Sequence, residues 1–353
     1  MKKVRLSYFL ISLFLSVSSG SYSQEEGTTF NTDFLPRDFT IARVAFYNVE
    51  NLFDIWDDSL KSDEDFIPGN IRGWNYNRYL NKLDNLSRVI IGLGGWSAPE
   101  IIGLCEIENK KCTQDLFNNT ILSKFDYRIL QFPSPDRRGI ETAFVFLPEK
   151  FKPLEFYPIE INFPFSSSST RDILYVHGLL LGSPIHFYVC HWPSKYGGEV
   201  ATIEKRNHVA TILSNHIDSI RLKHPNESIL VMGDLNDYPE SESVKEFLGA
   251  SSTDSSSLIN LSTAAGSWQG SHKHHGKWGY LDQIIVDSFL YNGHSSLELV
   301  YPMLRSFSPD WILENDEAYL GEKPFRSYVG MKYNGGYSDH LPVYVDLKLV
   351  LSY

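Results

Sequence analysis

Short runs of β-branched and aromatic residues, punctuated by Gly, Pro and Asn, recur from residue 41 to near the C-terminus and predict strands. They cover Ile41 to Tyr47, Ile101 to Cys105, Tyr127 to Leu130, Thr142 to Leu147, Ile173 to Leu181, Ile185 to Cys190, Ile229 to Met232, Ile284 to Val286 and Val343 to Leu347. Helical stretches are expected at Asn77 to Gly92, Gln114 to Leu122, Ala201 to Lys223 and Ser241 to Leu248, the last opened by Ser241 after Pro239. Strands outnumber helices, and the short Gly-containing turns between several strand pairs predict antiparallel pairing. The pattern therefore predicts an α/β class, with two mixed sheets packed face to face and helices outside.

The first residues read differently. Lys2, Lys3 and Arg5 precede the apolar run Tyr8 to Val17, which gives way to small residues up to Ser23. This three-part order predicts a signal peptide over residues 1–23, and hence export to the periplasm or medium. The apolar run is shorter than the ~20 residues a spanning helix needs, so no stable membrane anchor is expected after cleavage. A leader over 24–40 and one domain over 41–353 follow, because no low-complexity linker interrupts the chain. With 42% hydrophobic and 14% aromatic residues, that domain can bury a large core.

Three cysteines in an exported chain are too few for a disulfide framework. Cys105 and Cys190 lie in apolar runs and read as core residues, and no CxxC spacing points to a zinc site built on Cys. The net charge of -11 argues against a broad basic face that grips polyanions. It leaves open catalysis on a phosphate, since a carboxylate-bound cation can supply local positive charge.

The informative pattern lies at the strand ends. Phe46-Tyr47 runs into Asn48-Val49-Glu50-Asn51, Leu104-Cys105 into Glu106, and Val189-Cys190 into His191. Val231-Met232 leads through Gly233 to Asp234-Leu235-Asn236, Tyr280-Leu281 precedes Asp282, and Ser338-Asp339-His340 precedes Leu341-Pro342. Six strand ends with hard-metal or acid/base side chains are more than caps require. Oxygen ligands from Glu106, Asp339 and an Asn suit Mg or Mn. His340 and Asp282 are the natural pair for an imidazole held in one tautomer by a carboxylate.

These six segments, in this order and across nearly the whole mature chain, resemble the endonuclease/exonuclease/phosphatase superfamily, which includes deoxyribonuclease I. The resemblance implies a four-layer α/β sandwich, two packed mixed β-sheets flanked by helices, with the site between the sheets' edges. It implies that Glu106 is the principal metal ligand, supported by Asn48 and Asp339, with Mg, Mn or Ca as the ion. By the same resemblance Asp234 positions or deprotonates the attacking water, and Asn236 holds the phosphate or that aspartate. His340, oriented by Asp282, acts as base or electrostatic partner, and His191 stabilises the pentacovalent phosphate or assists the leaving oxygen. Glu50 matches an acidic metal-site position more loosely and is not assigned as a direct ligand.

The segment His191 to Gly198 resembles exported bacterial nuclease-like members, which implies a phosphodiester substrate, DNA or RNA among the candidates. Arg138 and Arg206 are candidate phosphate contacts, with solvated surface charge as the alternative. Lys273 and Trp278 belong to a basic, aromatic stretch from His272 to Trp278 suited to touching a phosphate and stacking a base. A phosphomonoesterase, a lipid or inositol-phosphate phosphodiesterase and a non-enzymatic binding protein are the competing classes. No protein partner is indicated.

Overall fold

The computed structural model describes residues 40–95, 98–195, 197–251, 257–264 and 270–350. The expected signal peptide and all but the last residue of the leader lie outside them. In chain order the strands are β1 Ile41–Leu52, β2 Ile101–Ile107, β3 Arg128–Gln131, β4 Glu141–Phe146, β5 Phe151–Ile159, β6 Ile173–Leu180, β7 Ser183–His191 and β8 Ser228–Asp234. There follow β9 Ala250–Ser251, β10 Leu258–Asn260, β11 His272–His274, β12 Lys277–Gly279, β13 Asp282–Asp287, β14 Leu297–Leu299 and β15 Arg305–Ser306. The last are β16 Leu313–Asn315, β17 Glu322–Pro324, β18 Tyr328–Val329, β19 Lys332–Tyr333 and β20 Val343–Leu349. Helices are α1 Tyr76–Gly94, α2 Lys110–Asn118, α3 Glu199–Lys223 and the single turn α4 Ser288–Tyr291.

Two seven-stranded sheets dominate. The first runs β14-β20-β1-β2-β4-β3, with β15 also on β20, and the second runs β5-β6-β7-β8-β13-β10-β9. Both are mixed, since β1 pairs β2 and β7 pairs β8 in parallel while most other neighbours are antiparallel. Residues two apart share a face, and this period sorts the apolar positions into layers. Val44, Phe46, Ile101, Cys105 and Phe144 of the first sheet meet Val176, Phe187, Val189, Leu230, Met232 and Ile284 of the second in the central layer. On the opposite faces, Ile102, Leu104 and Val145 pack under Leu83, Leu86 and Ile90 of α1. Tyr188, Ile229, Val231 and Ile285 pack under Val209, Leu213 and Ile217 of α3. The four-layer sandwich follows.

The expected helix at Gln114 to Leu122 is displaced. Asn109 caps α2 by accepting from the Cys112 amide, so the helix begins at Lys110 and stops at Asn118, before a separate 3-10 turn at Ile121–Lys124. The helix expected from Ser241 is a single π turn, Ser243–Phe247. The sequence pattern missed β5, whose Pro153 and Pro158 break a strand reading; β5 is an edge strand, where a missing N–H is tolerated. All three cysteines are buried and unbridged. Among the described residues no helix is long and apolar enough to cross a membrane.

Candidate active site

The alternation that builds the core also builds the site. On β7, β8 and β13 the residues facing the first sheet continue past the apolar run into His191, Asp234 and Asp282, and the ladder places these side by side: His191 opposite Asp234, and Asp234 opposite Asp282. Gly233 lets β7 and β8 close here, because a Cβ at that position would collide with the Cys190 carbonyl. Across the crevice, Asn48, where the regular pairing of β1 with β2 breaks, donates from Nδ2 to Asp234 Oδ2 at 3.0 Å and bridges the two sheets.

The strand ends of the first sheet leave regular geometry where the polar residues begin. The β1–β2 register shifts after Asn48, and the β2–β4 register shifts between Cys105 and Ile107. Glu50, Asn51, Glu106 and Asn236 all have positive φ, between 49° and 62°. A left-handed Glu costs on the order of 1 kcal/mol, so such residues persist where the surroundings hold them and commonly mark functional sites. At Glu106 the bulge frees the side chain from the ladder, and Oε2 accepts from the Asn51 amide at 3.0 Å.

Ser338 ties the last segment to this cleft by donating to the Asn48 carbonyl at 2.7 Å, and its hydroxyl accepts from the His340 amide at 3.1 Å. His340 Nδ1 then lies 2.6 Å from Asp282 Oδ2, both groups buried. Burial alone would strip the proton from His340, but Asp282, with Asp234 and Asp339 nearby, raises its pKa well above the usual imidazole value. The three carboxylates thus favour the imidazolium form of His340. Asp234 is raised to about 6, first by burial, then by Asp282 and Glu106, against the opposing pull of His340.

His191 behaves oppositely. Its Nε2 is 3.8 Å from both Glu106 Oε1 and Asp234 Oδ2, a separation that would favour charge. Burial, with Arg171, Arg138 and His340 adding repulsion, outweighs it and lowers the pKa well below the usual value. The 3.8 Å separations are too long for hydrogen bonds, so the carboxylates do not offset desolvation and His191 is neutral. Its buried Nδ1 has no hydrogen-bond partner. Asn236 donates from Nδ2 to the Trp192 carbonyl at 3.0 Å, and its amide donates to Asp234 Oδ1 at 2.8 Å, fixing that carboxylate.

Several residues that pattern alone did not single out complete the cleft. Arg326 donates to Asp339 Oδ2 at 2.8 Å and lies 3.4 Å from Glu50 Oε1, so it partly balances the acidic group. Glu50, set aside from the sequence, is buried and accepts from the Ser327 amide at 2.6 Å; burial and then Asp339 raise its pKa. Buried Lys82 of α1 reaches Ser327 and the Tyr337 carbonyl and is lowered to about 8 by desolvation. Arg171 holds Asp136 at 2.9 Å and the carbonyls of His191 and Trp192 beneath the site. Neutral His272, lowered to about 4 by burial and His340, lies 4.8 Å from the His340 ring. A cavity of about 240 Å³ lined by Glu50, Arg72, Lys82, Arg326 and Tyr328 adjoins the carboxylates.

Two expected substrate contacts are corrected. Arg206 is wholly buried, 2.6 Å from Asp237 Oδ2 and 2.8 Å from Thr202 Oγ1, so its guanidinium braces α3 against the loop after β8. Lys273 lies 2.8 Å from Asp316 and donates to the Leu320 and Glu322 carbonyls, which leaves its ammonium committed to the protein. Trp278 is half-buried against the cluster that holds Tyr328 and Leu341. Arg138 is 43% exposed, with Asp136 at 3.7 Å, and remains the expected cation open to a ligand.

The donor set fits a hard divalent cation. Asn48, Glu50, Glu106 and Asp339 offer oxygen ligands; burial raises Glu50, whereas Arg326 and His340 hold Asp339 below the usual carboxylate range and keep it ionised for a cation. Buried carboxylates with oxygen ligands beside them suit Mg or Mn, whose charge offsets the cost of their burial.

The sandwich agrees with comparisons to solved structures. No curated protein matches the chain. Solved structures that share the fold include the human Nocturnin catalytic domain with bound sulfate, at 17% identity, 88% of this chain, 95% of that chain and TM-score 0.53. A truncated TDP2 from Caenorhabditis elegans matches at 14% identity, 88% of this chain, 98% of that chain and TM-score 0.53. An endonuclease/exonuclease/phosphatase family protein from Bacteroides thetaiotaomicron matches at 15% identity, 89% of this chain, 99% of that chain and TM-score 0.53. The family model for endonuclease/exonuclease/phosphatase proteins matches residues 43–349, which span every strand end described above, and the chain belongs to that family.

Proposed function

We propose that this chain is an exported, divalent-metal-dependent phosphodiesterase with endonuclease-like chemistry. The observation that carries the reading is the pairing in one buried cleft of Asp234, raised to about 6, with His340, held as an imidazolium by Asp282 at 2.6 Å. A carboxylate poised near neutrality accepts a proton from water, while an imidazolium stabilises negative charge on a phosphoryl oxygen.

Asp234 takes the proton of the attacking water, and Asn48 and the Asn236 amide fix its oxygens for that step. His340 faces the phosphoryl group with its remaining N–H and is kept in orientation by Asp282 and Ser338. Neutral His191 lies beside Asp234 and Glu106 and offers hydrogen bonding to the phosphoryl or leaving oxygen. A divalent cation held by Glu106, Asn48 and Asp339, with Glu50 beside them, would polarise the phosphate and offset charge developing on it.

Cation accounting favours a diester over a monoester. Arg171, Arg206, Lys82 and Arg326 are already bonded to carboxylates or carbonyls, leaving little surplus charge for a dianion. With Lys273 also committed and a net charge of -11, the substrate is a short or single-stranded phosphodiester, or a small one, rather than a long duplex gripped at many phosphates.

The test is parallel hydrolysis of plasmid DNA, RNA, bis(p-nitrophenyl) phosphate and p-nitrophenyl phosphate, at low and high salt. Diester cleavage that exceeds monoester cleavage supports the reading. Activity confined to p-nitrophenyl phosphate overturns it in favour of a phosphomonoesterase. A steep fall of DNA cleavage with salt would show many phosphate contacts and contradict the short-substrate argument.

A further inference from the structure

A second cluster of titratable side chains lies on the outer face of the second sheet, outside the cleft. β6 and β7 place His177 directly opposite His186, with the rings stacked at 4.2 Å between centroids. Their Nε2 atoms converge on one oxygen, Glu227 Oε2, at 2.9 and 3.0 Å. His224, which ends α3, brings Nδ1 to 3.2 Å from the other oxygen of the same carboxylate. Buried Nε2 of His177 makes no directed hydrogen bond despite its short separation from Glu227, so it aims toward the carboxylate without donating well to it. Two stacked imidazoles and one carboxylate crowd a single point, and His224 flanks the carboxylate at the rim.

We infer that His177, His186 and Glu227, with water as the fourth donor and His224 holding the carboxylate from the rim, form a zinc(II) site separate from the catalytic cleft. Tetrahedral zinc with bonds of ~2.0–2.1 Å sets its ligand atoms ~3.3 Å apart. Both imidazole nitrogens lie 2.9 and 3.0 Å from Glu227 Oε2, and the stacked rings must turn out of their parallel arrangement to aim both lone pairs at the ion. Imidazole donors select zinc over Mg, which prefers the all-oxygen set of the cleft. A ligating imidazole usually spends its other ring nitrogen on an outer partner, and His186 has one: the Tyr175 hydroxyl lies 2.8 Å from Nδ1. The four residues come from β6, β7, the end of α3 and the turn entering β8, so the ion would clamp α3 to the sheet. β8 spans seven residues between Glu227 and the end bearing Asp234, which separates the two sites by ~20 Å at ~3.3 Å per residue. The role is structural.

The experiment strips the full chain with chelator, then dialyses it against zinc with Mg in large excess to hold the catalytic cleft. Wild type should retain one zinc more per chain than His177→Gln or Glu227→Gln, measured by elemental analysis. Cobalt should give the absorption of a tetrahedral N/O site in wild type and in Glu106→Gln but not in those two variants. Zinc should raise the Tm of wild type by a few degrees and leave His177→Gln unmoved. If the His177 variant fails to fold, Glu227→Gln, at a carboxylate that is 24% exposed, decides, with a zinc affinity at least tenfold weaker. Equal zinc content in wild type and the folded variants, or unchanged affinity in Glu227→Gln, overturns the assignment.

Discussion

Replacing Asp282 by Asn keeps the size of the side chain but removes the charge that holds the proton on His340. The bond at risk is 2.6 Å long and lies between two buried groups. A hydrogen bond to a charged group contributes about 1.5–3 kcal/mol, and about 1.36 kcal/mol is tenfold in rate, so losing this one predicts a fall of roughly 10–100-fold in kcat/KM. If the imidazolium itself disappears, the loss extends to about 10²–10³, the scale of removing one oxyanion donor. The sign with pH follows from the raised pKa of His340. Wild type keeps its imidazolium through neutrality, whereas the variant loses it near the ordinary value of about 6.5 or below. Initial rates on bis(p-nitrophenyl) phosphate, from pH 5.5 to 9 at saturating Mg, should therefore give a wild-type-to-variant ratio that is smallest at acid pH and widens toward pH 8. The linked stability has the same origin: a raised pKa contributes stability that is whole below about pH 6.5 and is lost as pH rises through the folded value. The variant's Tm deficit should accordingly be larger at pH 6 than in strong alkali. A rate ratio independent of pH, or unchanged activity, would refute the role of the pair.

Asp234→Asn should lower turnover at least 10³-fold without lowering Tm at pH 8 in the absence of metal. Its carboxyl is raised to about 6, so the stability linked to its proton is present in acid and lost as pH rises through that value; a clear Tm loss at pH 8 would count against this. Glu106→Gln should raise the Mg concentration giving half-maximal rate by tenfold or more, and an identical Mg titration would remove Glu106 from the ligand set. Arg206→Ala should take the nearest cation from buried Asp237, which keeps Lys195 at 3.0 Å and the Ser243 hydroxyl, and cost about 1.5–3 kcal/mol, read as a fall in Tm. Arg138→Ala should raise KM with Tm unchanged, so a reversed pattern in the two arginine variants would restore Arg206 as the substrate contact.

The core strands and most of the cleft were legible because the same period-2 alternation governs both. Apolar positions facing the partner sheet are followed on that same face by Asn48, His191 and Asp234, and preceded by Asp282 on β13, so extending each apolar run by one or two residues finds the site. The sequence ranges stopped short at these ends because polarity normally terminates a strand reading, whereas here the ladder continues into the chemistry. Glu106 and Glu50 needed backbone geometry: their orientation depends on bulges and positive φ that residue type does not signal. Arg171, Arg326 and Lys82 were illegible for another reason. Each reaches the cleft from a loop or helix distant in sequence, and nothing local distinguishes it from a solvated charge. Arg206 shows the converse error, since a cation on a helix reads as surface until its buried partner Asp237 is seen. The His177–His186 pair hid in the same way, as two polar residues on the outer face of adjacent strands.

The most direct test of the central claim is the metal dependence of phosphodiester hydrolysis by chelator-stripped protein, measured on bis(p-nitrophenyl) phosphate with wild type and His340→Gln side by side. The account predicts no turnover without metal, recovery on adding Mg or Mn, and a recovered rate at least 10²-fold lower in His340→Gln. Undiminished hydrolysis in chelator, or equal recovered rates in the two proteins, would contradict it.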